Sequence, residues 1–284
     1  MRSETLRGYT LLSPTLLVMT VGIVVPFTIL LVMSFWTQHA FDFDTTLTIA
    51  NYKTAAEEPV YKALLTRSML VSGSCAVITV LLSYPMAYYV AFHVHRHKMF
   101  WIILMTLPFW TSYLLRVFSW KVILGYNGVI NSDLKSIGFI DQPMEFLLYS
   151  PTAVVITLAH AWAAFAVLPL YVSLEKIDRS LLEAAADLGA GPVERFLRVT
   201  LPLSLPGVIA AVLIIFIPTV GDYITPALLG GPDGLMLSNM IQAQFGKVND
   251  WPLGAALAVA MMITVAMFSL LFILVSRKAM ERIA

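Results

Sequence analysis

Residues that could perform covalent chemistry are few in this sequence. It has no G-x-x-x-x-G-K-[ST] loop for nucleotide phosphates, no G-x-S-x-G nucleophile turn and no H-E-x-x-H metal pair. Three histidines alternate in HVHRHKM (93–99), but a period of two gathers side chains on one face only in a strand, and this segment is too short for one. Two stretches remain that place polar groups in apolar surroundings: Gly221-Asp222-Tyr223, and SLLEAAADLGAGPVERFLRVTLP (180–202). We predict no catalytic residue and no metal site.

The composition places both stretches in a membrane protein. Of the 284 residues, 59% are hydrophobic and 12% are charged, and the mean hydropathy is +0.82. A water-soluble core cannot bury so much apolar surface. A membrane-spanning helix needs about 20 mostly apolar residues, and the chain offers six such runs. The predicted spans are residues 11–35, 69–92, 101–125, 151–173, 203–229 and 253–275. The first run is too long for a signal peptide, so we predict that it is retained.

The distribution of basic residues predicts the orientation, because Lys and Arg resist translocation. Eleven of the 18 basic residues fall in the two tails and in the loops after spans two and four. Ten of the 17 acidic residues fall on the opposite side. Both termini and residues 180–202 are therefore predicted to be cytoplasmic. Arg116 and Lys121, near the outer end of span three, are expected to reach the interface or to pair with acids there.

The segment 180–202 has the pattern of two short helices joined by a turn. Ser180 and Glu183 form a capping-box spacing at the start of the first helix. Gly189 stands where a left-handed residue is expected to end that helix, and Pro192 suits the first turn of the second. The second helix is predicted to end at the prolines before span five. Such an amphipathic unit at the membrane surface is suited to docking.

The same segment contains Glu183-Ala184-Ala185, three residues, Gly189, nine residues, Val199, one residue, and Leu201-Pro202. This spacing resembles the EAA loop of the permease subunits of ATP-binding-cassette importers, in which an Ile occupies the position of Val199. In that family the loop forms a coupling helix that fits a cleft on the cytoplasmic ATPase. The alternative is a surface helix with an accidental Gly turn, and the capping box would explain Glu183 without a partner. The resemblance implies ATPase-coupling roles for Glu183, Ala184, Ala185, Gly189, Leu201 and Pro202.

The resemblance implies a fold and a set of partners. The fold is an all-α membrane protein with the six transmembrane helices of the type I importer permease, one domain over 1–284 that includes a cytoplasmic EAA loop at 174–202. The partners are a cytoplasmic ATPase dimer, a second homologous permease, a periplasmic or extracytoplasmic substrate-binding protein and membrane lipid, without nucleic acid. ATP and Mg would bind to the ATPase and no cofactor to this chain. The location would be the bacterial inner membrane.

Three further stretches narrow the cargo. Residues 108–131, 216–232 and 244–256 resemble the spermidine/putrescine branch of these permeases. Branches for opines, amino-acid derivatives or phosphonates share much of these stretches and stay open as alternatives. A secondary transporter driven by an ion gradient is the rival class, but it needs two multi-span repeats, and no repeat is visible here.

A candidate substrate path follows from the polar and aromatic residues of these stretches. Pro218 and Pro226 are expected to interrupt span five around Asp222, which at about 1.5 Å per residue would lie in the outer third of the membrane. A carboxylate there would not face lipid, and a carboxylate beside an aromatic ring suits an ammonium group with an alkyl stem. The alternatives are that Asp222 caps the broken end of span five, and that the aromatic residues form an interfacial belt. The candidate path residues are Asp222, Tyr223, Trp110 and Tyr113.

Overall fold

The computed structural model describes residues 2–281, which are predominantly helical. A short hairpin of β1 (Thr37–His39) and β2 (Asp42–Asp44) follows the first helix. The helices are α1 (Arg2–Met33), α2 (Ala50–Glu57), α3 (Pro59–Phe92), α4 (Lys98–Thr106), α5 (Tyr113–Ile123), α6 (Val129–Ser136), α7 (Pro151–Glu175), α8 (Arg179–Asp187), α9 (Pro192–Arg195), α10 (Leu201–Val220), α11 (Gly231–Gly234), α12 (Leu237–Ala243) and α13 (Trp251–Glu281).

The number of helices that could cross a membrane agrees with the predicted six. Within residues 2–281, five helical segments are long and apolar enough, and a bent pair of shorter helices would make the sixth. The five segments are Leu11–Met33, Pro59–Phe92, Pro151–Glu175, Pro192–Val220 and Trp251–Lys278. The all-α membrane fold is therefore confirmed, whereas two of the predicted spans differ in shape.

The third span is bent rather than straight. Its first part, Lys98–Trp110, ends in a single 3-10 turn that contains Pro108, and α5 then leaves at an angle of 82°. Proline has no N–H to continue α-helical hydrogen bonding, and Thr111 is extended, with ψ of 153°. The prediction of an unbroken helix over 101–125 was therefore wrong.

Arg116 stabilises this bend from inside the protein. Its guanidinium donates to the carbonyl oxygens of Phe109 at 3.3 Å, Thr111 at 3.0 Å and Ala161 at 2.8 Å. The first two carbonyls belong to the broken end of the first helix, and the third belongs to α7. Arg116 is only 7% exposed, and none of these partners is an acid. The expectation that Arg116 reaches the interface or pairs with a carboxylate was wrong, because the bend offers it unpaired carbonyls instead.

The fifth span begins and ends earlier than predicted. The helix is continuous over Pro192–Val220, and Pro218 lies inside it rather than interrupting it. The break falls at Gly221–Tyr223, after which the chain forms a π-helical turn at Pro226–Gly230. The predicted interruption of span five around Asp222 is therefore confirmed, although Pro218 lies inside the first of the two helical pieces.

The described chain divides into two compact units, whose boundaries fall inside α3, α12 and α13. The smaller unit comprises the residues up to Lys62 together with Met240–Ile263. Its hairpin was not predicted. The side chain of Asn51 ties the chain before the hairpin to α2 by donating to the carbonyl oxygen of Trp36 at 2.7 Å, and Gln38 on β1 accepts from the backbone N–H of Trp251 at 3.0 Å.

The larger unit comprises Ala63–Asn239 and the chain from Thr264 onward. The most intimate helix packing in this unit is between α7 and α10. A Cβ atom at Gly207 would lie 2.4 Å from the Cβ of Ser173 and 2.6 Å from the carbonyl oxygen of Pro169, so only glycine allows this close approach. That one permease domain spans 1–284 stays a prediction.

Candidate functional site

The N-cap of the first helix of the predicted coupling loop, α8, lies two residues earlier than expected. Asp178 is its N-cap, and its carboxylate accepts the backbone N–H of Ser180 at 2.9 Å. This hydrogen bond lowers the pKa of the exposed Asp178 carboxyl. The predicted capping box of Ser180 and Glu183 was therefore wrong. Glu183 is exposed, and within residues 2–281 its carboxylate has no hydrogen bond or ion pair. A capping role therefore does not explain the presence of Glu183.

The end of α8 is a Schellman motif. Gly189 has a φ of +84°, and its N–H donates to the carbonyl oxygen of Ala186 at 2.9 Å while the N–H of Ala190 donates to that of Ala185 at 3.0 Å. The predicted left-handed conformation of Gly189 is confirmed. Ala185 thus helps to close the turn through its backbone, and the turn determines the direction in which the chain leaves α8.

The second helix of the loop continues without a break into the membrane. Pro192 is its first residue, as predicted, but the chain passes through a π-helical turn at Phe196–Thr200 and then directly into α10. Leu201 donates to the carbonyl oxygen of Phe196 across this wider turn, immediately before Pro202, which has no N–H to donate. The prediction of a separate short helix was wrong, and Leu201 and Pro202 lie instead at a junction inside a longer one.

Several apolar side chains of the loop are exposed rather than buried against the rest of the chain. Leu188 is 88% exposed and Val193 is 71% exposed. A concavity of about 280 Å³ lies between the end of α8 and the start of the next helix. We call this surface the loop face and define it by four exposed residues. They are Leu181, Leu188, Val193 and Leu197. Large apolar side chains left exposed in a polar loop favour an interaction with another protein.

A cluster of charged residues connects α8 to the neighbouring helices, and sequence reasoning missed it. Lys98 donates to both carboxylate oxygens of Glu175, at 2.7 and 2.8 Å, and to the carbonyl oxygen of Ala91 at 3.1 Å. Arg179, the first residue of α8, donates to the same carbonyl at 3.3 Å. Two cations therefore meet the negative end of α3. We call Lys98, Glu175 and Arg179 the charge clamp. The signal in the sequence was a set of charges at the ends of three apolar runs.

The structure brings together two of the four predicted path residues. Tyr113, at the start of α5, donates its hydroxyl to the carboxylate of Asp222 and lies 2.6 Å from the hydroxyl of Thr225. The other oxygen of Asp222 accepts from the backbone N–H of Ile224 at 2.9 Å, and Thr225 contacts both carboxylate oxygens. Asp222 thus caps the helical turn that follows the break. This geometry favours the capping role, and contact with cargo stays a prediction.

The other two path residues are not part of this network. Trp110 ends the 3-10 turn at the bend of span three and is 74% exposed. Tyr223 lies in the break after α10 and is 46% exposed. The carbonyl oxygen of Tyr223 accepts from the side chain of Asn239 at 2.8 Å, which fixes the backbone of the break. Both rings thus stand at places where a span is interrupted.

These features define a class of protein: an integral membrane subunit with broken spans and a helical loop at the end of its bundle. Residues 7–280 match the family described as the inner membrane component of binding-protein-dependent transport systems. The chain belongs to this family. It is a multi-pass inner-membrane permease subunit of an ATP-binding-cassette importer, a transport component and not an enzyme.

The relatives with curated names agree with this family. The chain is 36% identical over 230 residues to the spermidine/putrescine transport system permease protein PotB of Escherichia coli (strain K12), covering 81% of this chain and 83% of PotB. It is 36% identical over 252 residues to PotB of Haemophilus influenzae, covering 88% of this chain and 87% of that protein. The inner membrane ABC transporter permease protein YdcU of Escherichia coli (strain K12) is 32% identical, covering 84% of this chain and 80% of YdcU.

Solved structures show the same fold. A bacterial importer of the acidic polysaccharide alginate has a chain that matches with a TM-score of 0.76 at 17% identity, covering 97% of this chain and 96% of that one. The methionine importer MetNI matches with a TM-score of 0.52 at 16% identity, covering 80% of this chain and 99% of that one. At these identities the likeness establishes the permease fold alone.

Proposed function

We propose that this permease forms half of the translocation pore of a polyamine importer that works by alternating access. An extracytoplasmic binding protein delivers spermidine or putrescine to a pore shared with a second, homologous permease. A pair of cytoplasmic ATPases binds ATP and Mg and drives the opening of the pore. The observation that carries the proposal is the identity of 36% to the PotB permeases over more than four fifths of the chain.

The coupling loop is the proposed contact with the ATPase. The loop face is apolar and exposed, and its neighbour Glu183 lacks an internal partner within the described chain, so this surface is available to a second protein. Ala184 and Ala185 keep α8 narrow, and Gly189 sets the turn. Leu201 and Pro202 would then transmit movement directly into α10, because the helix is continuous from Pro192 to Val220.

The proposed orientation places this loop and both termini in the cytoplasm. Eleven of the 18 basic residues lie on the side of the loop, in agreement with the retention of Lys and Arg on the cytoplasmic side. Reporter fusions after residues 97, 190 and 284 should report the cytoplasm, and fusions near 45, 140 and 240 the outer compartment. An outer location for residue 190 would separate the loop from any ATPase and overturn the proposal.

The proposed cargo contacts are the exposed rings at the two interrupted spans. Trp110 and Tyr223 offer aromatic faces to the alkyl and ammonium parts of a polyamine, while Tyr113 and Asp222 hold the break that carries Tyr223. Because neutral donors already occupy both oxygens of Asp222, an ammonium group would have to displace them. Asp222 therefore supports the path and becomes a direct cargo ligand only if those hydrogen bonds open during transport.

Substrate-stimulated ATP hydrolysis tests the proposed cargo. The assembled complex, reconstituted with its binding protein, should hydrolyse ATP faster with spermidine or putrescine, and only vesicles containing the complex should accumulate labelled polyamine. Stimulation by an opine, an amino-acid derivative or a phosphonate instead would change the assigned cargo but would leave the importer mechanism supported. Uptake driven by an ion gradient with this chain alone would refute the importer mechanism.

A further inference from the structure

His160 occupies an unusual place in the most deeply packed span. It is the tenth residue of the 25-residue helix α7, about 14 Å from the start of the helix at 1.5 Å per residue, and therefore near the middle of a bilayer. Half of the most apolar window of this helix is buried, including the neighbouring residues Ala159 and Ala161, but His160 is exposed. An exposed titratable side chain at this depth does not persist against lipid.

A tryptophan fixes the imidazole of His160. The indole N–H of Trp120 on α5 donates to Nδ1 of His160 at 3.1 Å, and the two rings meet edge to face at 5.3 Å. Nδ1 accepts a hydrogen bond only when it carries no proton, so the neutral ring has its proton on Nε2. This leaves one N–H donor, which has no partner among residues 2–281. His160 therefore needs a hydrogen-bond acceptor from outside the chain.

The position of Trp120 shows where that acceptor would be. Trp120 and Tyr113 are seven residues apart and share one face of α5, and Tyr113 reaches the break at Asp222. The bend at Thr111 and Ser112, just before α5, is also exposed. Irregular backbone at membrane depth is tolerated where it is buried in protein or lines a water-filled cavity. Both interruptions thus meet the start of α5, and the Trp120–His160 pair lies about two turns further along the same helix.

We propose that His160 lines the water-filled substrate path and offers its Nε2–H to an acceptor oxygen there. With the polyamine cargo proposed above, the oxygen belongs to pore water; a cargo with a carbonyl or carboxylate group would supply it directly. An ammonium nitrogen cannot serve, because it has no lone pair. This inference rests on the proposed pore-forming role of the chain, but it does not depend on the cargo being a polyamine.

Cysteine accessibility in the assembled importer tests the proposal. The native Cys75 is the only cysteine of this chain and is fully buried, so labelling of this chain by a charged, membrane-impermeant thiol reagent has no background from the wild-type sequence. The variant His160→Cys should react and lose uptake on labelling, whereas Leu158→Cys, at a fully buried position of the same helix, should not react. Slower labelling with saturating cargo would show that the cargo passes this position, and unchanged labelling would show that only pore water reaches it.

Other outcomes would overturn the proposal. If the His160→Cys variant reacts as the purified single chain but not in the complex, His160 lies against the second permease. If the variant reacts in neither state, an aqueous path at this position is excluded.

A second measurement tests the role of the N–H itself. The variant His160→Gln keeps a polar side chain for Trp120 and the path, and it should transport roughly tenfold better than the apolar His160→Phe. Equal transport by both variants would contradict the role of the N–H. If the importer carries a cargo other than a polyamine, the expected results for His160 stay the same, and only the polyamine assignment is refuted.

Discussion

The turn at Gly189 allows backbone strain to be separated from steric clash. Gly189 has a φ of +84°, and a Cβ atom built there meets nothing within 4 Å. A side chain at this position therefore costs strain in the left-handed region without displacing a neighbour. The series Gly189→Asn, Gly189→Ala and Gly189→Val raises that strain stepwise, because Asn tolerates this conformation and β-branched residues tolerate it least.

The size of the effect follows from the conformation and from the short helix. A non-glycine residue in the left-handed region costs about 1–2 kcal/mol, and a β-branched residue lies at the upper end or above. Helix α8 has nine residues, which is too short to be stable on its own in water. A cost of that size would reduce the population of the intact turn roughly fivefold to thirtyfold. We expect cargo-stimulated ATP hydrolysis to fall in the order Asn, Ala, Val.

A matched control lies at Gly138, which the predicted topology places on the other side of the membrane from Gly189. Gly138 follows α6 with a φ of +72° and also meets nothing within 4 Å of a built Cβ. Its turn has the same Schellman hydrogen bonds, from Gly138 to Lys135 and from Phe139 to Leu134. Gly138→Val should therefore carry the same strain and leave coupling intact. Equal loss in both variants would indicate general damage, and full coupling in Gly189→Val would refute the role of the turn.

Substitutions at three further sites test packing, the break after α10 and the charge clamp. Gly207→Ala would bring a methyl group 2.4 Å from the Cβ of Ser173, so we expect overpacking of about 1–3 kcal/mol and a lower thermal midpoint in detergent. Asp222→Asn keeps an acceptor for the capped N–H groups and should assemble normally. Asp222→Ala removes the cap, should cost about 0.5–2 kcal/mol and should reduce complex yield. A sharp loss of uptake by the Asn variant at full complex yield would instead indicate contact with an ammonium group. Lys98→Met leaves the partly exposed Glu175 unpaired, which should cost about 0.2–1 kcal/mol of stability and lower the amount of cargo transported per ATP. Lys98→Arg should restore that ratio. Unchanged coupling in Lys98→Met would show that the clamp has no part in coupling.

The sequence correctly predicted those features of the fold that depend on the chemistry of single residues or on the length of apolar runs. The left-handed Gly189 and the helix start at Pro192 follow from the backbone preferences of those residue types, and both are present in the structure. The number of spans follows from the length of apolar runs. The capping box failed because Asp178 and Ser180 both suit an N-cap, and spacing alone does not decide between them.

The break around Asp222 was predicted in the right place from Pro218 and Pro226, whereas the bend after Pro108 was not predicted. Both depend on side-chain contacts that the spacing of prolines does not show. Pro218 stays inside a helix, whereas the bend after Pro108 requires Arg116 to bind the carbonyl oxygens that the break exposes. The break at Asp222 likewise requires the hydroxyl of Tyr113, 109 residues earlier. A proline can only remove a hydrogen bond, and tertiary contacts decide whether the freed groups find partners.

The same dependence connects the breaks with transport. Broken backbone within a membrane is costly unless polar groups satisfy it, and here Arg116 and Asp222 use their polar groups to do so. A chain selected only for stability would use straight apolar helices. The interruptions instead leave Trp110 and Tyr223 exposed. Both meet the start of α5, the helix that also holds His160 through Trp120. Arg116 and Asp222 therefore stabilise the two breaks, and we expect the groups left exposed beside them to be available to water and cargo.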